Sequence, residues 1–528
     1  MTNTNGEQVP WESTSLTGDF YFNADQDKGQ TKLADILPDY NESSIDAPDY
    51  ELQRKHKAAG IRSIAVMPIL NYTGDESKDY IANGLHVALT EEFGKLFGSS
   101  MRIISNTSTK QYADFNKNLK EIATELNVDG IVEASLLGAG EKLKIYLKLY
   151  SAFPEEELIW SNAYDSDISE VFNLYNRITK NIADEIQISL TPEQEKNLQE
   201  YKRVDKEAYD LYLKGYQYLG DGNEKTNRES LEYLSRAIEI EPGWASLYSS
   251  MAQVWMVLQQ FGHESPQVAV PKIYEYANKA LELDANSADA HQLIAMLAFL
   301  VEWDWQKAEK EFHVATTLNP SNAISRMFYS HILFFLQKSE EASKQARLAI
   351  THDPINLMIK CQFAVALLLE NNSEDALSVI EKVLAVSPEH PLANNILEKA
   401  AFQCGDYEKV IKAAKYHIPL KGESFVEAEK IFKDLGFIEA YSELLRQVEV
   451  EMLNDFIIQP PTLAAKYHMI KQYDKAMDWI EKGYEIHSPQ MPYIGTGFYD
   501  FVHLYDNPRF IDIVNKLNLP QPKKESDQ

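Results

Sequence analysis

Cysteine is nearly absent from this chain, which contains Cys361 and Cys404 and no other thiol in 528 residues. Two cysteines cannot form a disulfide framework or a cysteine-rich metal site, so we expect a fold held by packing in a reducing compartment. Basic residues are also scarce, because 51 Lys and Arg stand against 80 Asp and Glu and leave a net charge of −29. Nucleic-acid binders need a basic surface, so this charge argues against DNA or RNA as a direct ligand.

Long apolar runs are missing as well. Nowhere do about eighteen apolar residues follow one another, and the first seven residues lack the basic and apolar regions of a signal peptide. We therefore expect a cytoplasmic protein. The alternative is the soluble part of a membrane-anchored or periplasmic protein, in which membrane association comes through a partner or an upstream segment.

The short motifs that accompany catalysis or metal binding do not occur. We find no phosphate-binding glycine loop, no His-Glu-x-x-His, no Cys-x-x-Cys and no calcium loop. Cys361 has no catalytic base near it in sequence, which favours a buried thiol over a nucleophile. The sequence thus predicts a protein that is not an enzyme, with no catalytic residue, no cofactor and no metal site.

What the chain does have is a long repeat of small residues and prolines. Pro320, Pro354 and Pro388 recur at an interval of 34 residues. Small or apolar residues hold equivalent places before the last two of these prolines: Ala342 and Ala376, Ala346 and Ile380, Ala349 and Val383. This interval and pattern are typical of a tetratricopeptide (TPR) array, in which helical hairpins stack into a superhelix.

The array is predicted to begin at Lys206 and to contain six recognisable repeats, the last starting at Pro391. The second repeat is longer than the others, and we interpret residues 261–271 as a loop inserted between its helices. Two further helical pairs are predicted over residues 425–453 and 461–487. Residues 507–520 resemble the closing segment of TPR proteins and are expected to cap the last hairpin, since an uncapped solenoid exposes an apolar face.

Residues 59–198 show a different periodicity. Short apolar runs predict strands at residues 63–70, 101–105, 130–136, 142–150 and 159–164, with a hairpin turn at residues 138–141. Amphipathic patterns predict helices at residues 79–97, 119–126 and 168–190. The loop at residues 71–77 is interpreted as a helix-entry turn. We expect a mixed α/β domain with helices packed on one sheet.

Six stretches of this domain follow a familiar order: residues 64–68 (IAVMP), 71–75 (NYTGD), 83–85 (NGL), 104–108 (ISNTS), 132–135 (VEAS) and 158–165 (LIWSNAYD). The order resembles TolB-N-like domains of bacterial TPR proteins, although Asn83 and Asn106 depart from the acidic and basic residues common there. The resemblance implies a non-enzymatic domain that couples the array to another module. In that family the module is often a winged helix or a class III nucleotide cyclase, and neither is expected here.

The complete prediction is of the α+β class, a small mixed α/β domain followed by an all-α TPR superhelical solenoid. The predicted divisions are an acidic, disordered leader (1–58), the α/β domain (59–198), the TPR repeats (199–416), degenerate TPR-like helices with a cap (417–520) and a polar tail (521–528). The leader carries eleven acidic residues against two basic ones up to Glu51. Such a composition buries too little apolar surface to offset chain entropy.

The first helix of each hairpin is expected to line the groove, so its exposed positions predict the ligand. These positions carry no Lys/Arg/Asn clamp of the kind that grips a C-terminal carboxylate in other TPR proteins. We predict a protein partner that offers an apolar, helical segment. The predicted partner-binding residues are Gln253, Met256, Gln292, Met296, Phe299, Met327, His331, Phe334, Leu368, Asn395, Lys399 and Phe402. The competing interpretation is that one stripe of these residues packs against the neighbouring repeat, namely Met256, Phe299, Phe334, Leu368 and Phe402.

Two functions follow from these patterns. The first is an interaction scaffold or adaptor, for instance in a bacterial signalling or envelope-associated complex, that binds a partner through the groove. The second is a regulatory subunit in which the α/β domain senses a small ligand and the solenoid transmits the signal.

Overall fold

The computed structural model describes residues 61–113, 117–137, 142–153, 156–199, 203–217, 219, 222–418, 420–452 and 458–522. The predicted leader, the predicted hairpin turn at residues 138–141 and the last six residues of the tail lie outside this part of the chain. From residue 61 onward a mixed sheet with helices on both faces precedes a long series of paired helices. The fold is therefore the α+β arrangement that the sequence predicts.

One sheet organises the first part of the chain. Its strands are β1 (Ser63–Val66), β2 (Leu70–Asn71), β3 (Arg102–Ile103), β4 (Gly130–Leu137), β5 (Lys142–Ser151) and β6 (Glu157–Asp167). The strand order is β3-β1-β4-β5-β6, with β1 parallel to β3 and β4, and β5 antiparallel to β4 and β6. β2 also pairs in parallel with β4, beyond the end of β1.

The predicted strand over residues 63–70 is interrupted, which corrects the sequence-based expectation. β1 ends at Val66 and β2 begins at Leu70, while both pair with β4. Pro68 lies between them and has no backbone N–H to donate to a strand ladder. The regular strand therefore ends after Val66, although the N–H of Met67 still donates to the carbonyl of Val132 in β4, and pairing with β4 resumes at Leu70.

Helices cover both faces of the sheet, because the side chains of β1 alternate between two cores. Ile64 and Val66 pack with helices on one face of the sheet, whereas Ala65 and Met67 pack with a helix on the other face. These helices are α1 (Asp79–Phe97), α2 (Asn106–Lys110), α3 (Leu119–Leu126), α4 (Val171–Glu185) and α5 (Pro192–Gln199). The bounds of α1 and α3 are those predicted, and α4 is shorter than predicted because a 3-10 turn precedes it and the helix ends at Glu185.

The remaining helices form consecutive hairpins, each packed on the next. They are α6 (Lys206–Tyr216), α7 (Glu224–Ile240), α8 (Ala245–Gln260), α9 (Pro266–Leu283), α10 (Ala288–Leu297), α11 (Trp305–Leu318), α12 (Ala323–Phe335), α13 (Ser339–His352), α14 (Leu357–Leu369), α15 (Ser373–Val386), α16 (Pro391–Gln403), α17 (Tyr407–Ala414), α18 (Gly422–Leu435), α19 (Phe437–Met452), α20 (Pro460–Met469), α21 (Tyr473–Glu485) and α22 (Pro508–Lys516). Ala308, Ala342, Ala349 and Ala376 are all 0% exposed, since small side chains let the helices approach closely.

Two local features of the array differ from expectation. The loop predicted at residues 261–271 ends at Ser265, because Pro266 starts α9 and Pro271 lies inside that helix. A proline at the first helical position costs no hydrogen bond, and Pro271 costs one. After α10 the chain makes a π-helical turn over Ala298–Glu302, which closes on Trp303 with φ of +56°.

The α/β domain packs against the repeats along α1. This 19-residue helix is about 28 Å long, enough to pass several hairpins. Near its start the hydroxyl of Tyr80 donates to Asp210 of α6, and just past its end a Cβ on Gly98 would lie 2.7 Å from the hydroxyl oxygen of Ser321. The domain thus contacts both the first hairpin and the turn that precedes α12.

A second set of contacts ties the sheet to the turn between α13 and α14. Nδ1 of His352 lies 2.9 Å from the carbonyl oxygen of Ile103 in β3. The hydroxyl of Ser108 donates to Oδ1 of Asp353 at 2.6 Å, and the backbone N–H of Ser105 donates to the carbonyl of His352 at 2.8 Å. Because these groups are buried, their mutual hydrogen bonds fix the orientation of the domain on the array.

Candidate partner-binding groove

We define the groove as the surface formed by the first helices of four successive hairpins, α10 with its π-helical turn, α12, α14 and α16. These helices are buried almost throughout, including every residue from Ser325 to Phe335 and from Ile359 to Leu369. A helix that lined an open groove would keep one polar, accessible face. The groove is therefore covered, and the cover is a part of the same chain.

The cover is the groove segment, residues 488–504, which follows α21. It is irregular apart from two short 3-10 turns, Met491–Gly495 and Val502–Leu504. The segment is anchored at its start by His487, whose Nε2 lies 2.9 Å from the carbonyl oxygen of Val301 and whose ring stacks on Trp303 at 3.4 Å between centroids. The unpredicted π-helical turn thus supplies the point at which the segment enters the groove.

Tyr493 is a side chain of the segment that fills the groove. Its ring packs edge-on against Phe335, with centroids 4.8 Å apart, and against Phe299 at 6.5 Å. Its hydroxyl lies 3.1 Å from Nδ1 of His331, and both residues are buried. Edge-to-face packing and a satisfied hydroxyl are what a buried tyrosine requires.

Burial sets the charge state of this contact. Burial lowers the pKa of His331 from 6.5 to about 4, and the hydrogen bond to the carbonyl of Gln362, which raises this pKa, offsets only part of the effect. Burial raises the pKa of Tyr493. Both side chains are consequently neutral near pH 7. The hydrogen bond between them joins two neutral groups and needs no counter-ion.

Gly497 makes a close backbone contact between the segment and the groove. Its carbonyl accepts a hydrogen bond of 2.7 Å from Nε2 of Gln403, at the end of α16. A Cβ at this position would lie 2.3 Å from Oδ1 of Asn371 and 2.5 Å from the carbonyl oxygen of Leu368. Backbone atoms of α14 cannot move away cheaply, so the approach requires a residue without a side chain.

An aromatic pair follows this glycine and surrounds a buried ammonium group. Nζ of Lys399 lies 4.6 Å from the ring centroid of Phe498 and 5.5 Å from that of Tyr499. Lys399 is 4% exposed and also donates to Oδ1 of Asn395. Desolvated cations are stabilised by aromatic faces, so the pair compensates in part for removing Lys399 from water.

Little space remains once the segment is in place. A cavity of about 30 Å³ is left between the segment and the helices. Its lining consists of Gln362, Val365, Leu392, Asn395, Gln490, Tyr493, Phe498 and Tyr499. By the same measure one water occupies about 10–15 Å³, so the cavity is too small for a cofactor or a peptide.

Some of the residues predicted to bind a partner do lie against the groove segment. Phe299 and His331 contact Tyr493, Lys399 faces the aromatic pair, and Asn395 lines the cavity. Leu368 takes part through its backbone carbonyl, while its side chain is 0% exposed.

The other predicted residues have different surroundings. Met256, Met296, Met327 and Phe334 are buried in the continuous core that the hairpins share with the groove segment, and Phe402 packs against Tyr407 and Phe437. Oε1 of Gln292 accepts hydrogen bonds from Asn322 and Ser325, and Gln253 is half-buried on α8. The burial of Met256 and Phe334 and the ring contacts of Phe402 agree with the competing interpretation, and partner binding by all five residues stays a prediction.

Sequence reasoning missed Gln403, Asn371 and Phe335, and it missed the groove segment itself. One signal was available: residues 493–499 (YIGTGFY) combine three aromatic residues with two glycines between stretches of regular helical periodicity. Such a composition favours an irregular, closely packed segment over a helix.

The part of the chain that the structure describes contains neither a cluster of metal ligands nor a membrane-spanning helix. No group of three or more His, Cys, Asp or Glu side chains in that part is placed to hold a metal ion. Within the same residues, no helix combines the length and apolarity needed to cross a bilayer.

No family model matches the chain. Similar curated proteins include "Putative adenylate cyclase 3" of Rhizobium meliloti, 25% identical over 236 residues, which are 44% of this chain and 40% of that protein. The transcriptional regulator HilA of Salmonella typhimurium is 25% identical over 159 residues, 30% of this chain and 28% of HilA. The chain thus matches well under half the length of these relatives.

Solved structures with related helical arrangements are TPR proteins of low identity. YrrB, described as a TPR protein with an unusual peptide-binding site, is 20% identical with a TM-score of 0.28, over 38% of this chain and 99% of YrrB. PilF of Pseudomonas aeruginosa is 19% identical with a TM-score of 0.30, over 46% and 99%. Yeast Tom70 is 17% identical with a TM-score of 0.33, over 60% and 68%.

Proposed function

We propose that this chain is a non-enzymatic protein-interaction scaffold whose groove binds an apolar, aromatic-bearing segment of a protein partner. In the structure, residues 488–504 of the chain occupy the groove. A partner gains access by displacing them. The ligand differs from the helix predicted from sequence, because the segment in the groove is irregular.

The observation that carries this proposal is the contact at Gly497. Gln403 donates to the backbone carbonyl of this glycine rather than to a side chain, and Leu368 and Asn371 close on its Cα. Donors aimed at backbone carbonyls recognise the main chain of an irregular segment, whatever chain it belongs to. A surface with this property suits a scaffold better than a catalyst.

A ligand-sensing regulatory subunit is the second candidate, and it rests on the contact between the domains. The hydroxyl of Tyr216 in α6 donates to Oε1 of Glu91 in α1 at 3.0 Å, so a shift of α1 would reach the first hairpin directly. A small ligand that raises the melting temperature of residues 61–190, and of no other part of the chain, would favour this candidate.

The scaffold function is tested by comparing two glycine variants as baits for proteins of the source organism. Gly497→Ala expels the groove segment through its clash with Leu368, whereas Gly495→Ala is a matched control, since the nearest atom to its Cβ is 4.0 Å away. We expect the Gly497→Ala chain to capture a stoichiometric partner and the Gly495→Ala chain to capture less of it. Adding Gln403→Ala to the Gly497→Ala chain should abolish the capture. Equal capture by all three variants would place the binding surface outside the groove.

The same preparations test the absence of enzymatic activity. The wild-type chain and the Gly497→Ala variant are incubated with ATP and Mg²⁺ or Mn²⁺, and cyclic nucleotide is measured. We expect none above background. Reproducible turnover that follows the protein through purification would contradict the non-enzymatic proposal.

A further inference from the structure

The groove segment presents three chemical features to the helices, and each meets a group that is fixed in the array. The first is the hydroxyl of Tyr493, which lies 3.1 Å from Nδ1 of His331 while its ring fills the space beside Phe299 and Phe335. Phenylalanine could fill this space but would leave the buried imidazole nitrogen without its partner. The position therefore selects tyrosine.

The second feature is the missing side chain four residues later. A Cβ on Gly497 would lie 2.3 Å from Oδ1 of Asn371 and 2.5 Å from the carbonyl oxygen of Leu368. Real carbon and oxygen atoms do not approach so closely, and the obstructing carbonyl belongs to a helix. The position therefore selects glycine.

The third feature is the aromatic pair directly after this glycine. Phe498 and Tyr499 present their rings to the ammonium group of Lys399, which is 4% exposed. Without an aromatic ligand this ammonium would lose its cation–π partners in a largely desolvated site. The charge of Lys399 and the apolar helices around it therefore favour two aromatic residues directly after the glycine.

We propose that the partner displacing the groove segment carries the same chemistry: a tyrosine, three residues, then a glycine followed directly by two aromatic residues, in an irregular conformation. The chain's own residues 493–499 are the template for this ligand class. This inference rests on the proposed scaffold function and specifies which protein segment the groove accepts.

The probe is a fluorescent synthetic peptide of residues 488–504, titrated into the full-length chain and followed by anisotropy. We expect it to bind the Gly497→Ala chain about tenfold or more tightly than the wild-type or Gly495→Ala chain, whose own segment fills the groove. Peptides carrying Tyr493→Phe or Gly497→Ala should lose about tenfold in affinity for the opened chain. A Gly495→Ala peptide should bind as well as the unmodified one.

Equal affinity of all four peptides, or no binding to an opened chain, would overturn the inference. Opening is established separately by rapid amide exchange across residues 491–501, so that failure of the peptide cannot be confused with a closed groove. If Gly497→Ala does not fold, the Tyr493→Phe chain takes its place. We then expect tighter peptide binding than to the wild type, and equal binding overturns the inference.

Two further outcomes keep this inference separate from the scaffold function. A Gly497→Ala chain that forms stable dimers by exchanging residues 488–504 would identify a second copy as the ligand and overturn the assignment to another protein. A partner captured through the groove that lacks the tyrosine, glycine and aromatic pair would overturn the ligand class. The scaffold function would still stand in that second case.

Discussion

The hydroxyl of Tyr493 lies 3.1 Å from Nδ1 of His331, although 162 residues separate them in the chain. This contact joins the segment after the last hairpin to the fourth, and it closes the array on itself. Trp305 reinforces the closure, since its indole Nε1 donates to the carbonyl of Leu517 at 2.6 Å. The repeats therefore form a groove that residues 488–504 of the same polypeptide fill.

Replacing Tyr493 by Phe should destabilise the closed form. The ring is retained, but the buried His331 loses the partner of its Nδ1, and an unsatisfied buried polar group costs about 1–3 kcal/mol. We expect a lower urea midpoint for the helical circular dichroism signal. Tyr407→Phe is the matched control, because Tyr407 is 41% exposed and should leave the midpoint unchanged. Equal midpoints for all three proteins would mean that the hydrogen bond does not stabilise the fold.

A buried ion pair near the end of the array predicts a second effect. Nζ of Lys466 contacts Oε2 of Glu398, each residue is 1% exposed, and the hydroxyl of Tyr441 donates to the other carboxylate oxygen. Lys466→Met leaves this carboxylate without its counter-charge and should cost about 3–5 kcal/mol.

The double variant Lys466→Met with Glu398→Leu distinguishes charge from packing in this cluster. Removing both charges avoids an isolated buried carboxylate, so the double variant should be more stable than Lys466→Met alone. Thermal unfolding of the two variants beside the wild type provides the measurement. A double variant that is less stable than Lys466→Met would show that lost packing dominates.

The contact between α1 and the repeats should weaken as pH rises. Burial, with the charge of Asp289, raises the pKa of Glu91 from 4.5 to about 7, and burial raises that of Asp289 as well. Lys95, Glu92 and the hydroxyl of Tyr216 also face Glu91. A carboxyl whose pKa is higher in the folded state favours folding most below about pH 4.5, and this contribution is lost as pH rises through about 7.

Melting temperatures measured between about pH 5 and pH 8 at constant ionic strength test this dependence. The wild-type chain should lose stability across the interval because Glu91 ionises. Glu91→Gln cannot ionise and should show a shallower slope. Identical slopes for the two proteins would mean that Glu91 does not titrate in the folded chain over this range.

Close helix packing in the fourth hairpin predicts a further effect on stability. Ala349 on α13 is 0% exposed, so Ala349→Leu forces extra methyl groups into a filled interface and should cost about 1–3 kcal/mol. Lys344→Leu on the exposed side of the same helix is the control and should be nearly neutral. Both are measured by thermal unfolding. Equal losses would indicate a helix-propensity effect rather than overpacking.

Features encoded locally could be predicted from the sequence. The bounds of α3 are recoverable because Asn118 forms a capping box with Glu121 and Asn127 ends the helix with φ of +51°. The bounds of α1 follow from an apolar face of unbroken helical period. The alanine and proline spacing of the array likewise reflects contacts between helices that are adjacent in sequence.

Features that depend on distant contacts could not be predicted in this way. Whether Phe299 faces a neighbouring hairpin or an open groove depends on where residues 488–504 lie, and no local period encodes that position. The π-helical turn at residues 298–302 is equally hidden, because it is stabilised by the contact of Val301 with His487. Amphipathic patterns indicate which residues are buried but do not indicate which residues cover them.

The central claim is that the groove is occupied by the chain itself, and amide exchange at Tyr493 and Thr496 measures this most directly. Both N–H groups donate within the groove segment, to the carbonyls of Gln490 and Tyr493. We expect strong protection of these amides in the wild-type and Gly495→Ala chains, and its loss in Gly497→Ala while α12 and α14 stay protected. Exchange of both amides at the unprotected rate in the wild-type chain would contradict the account.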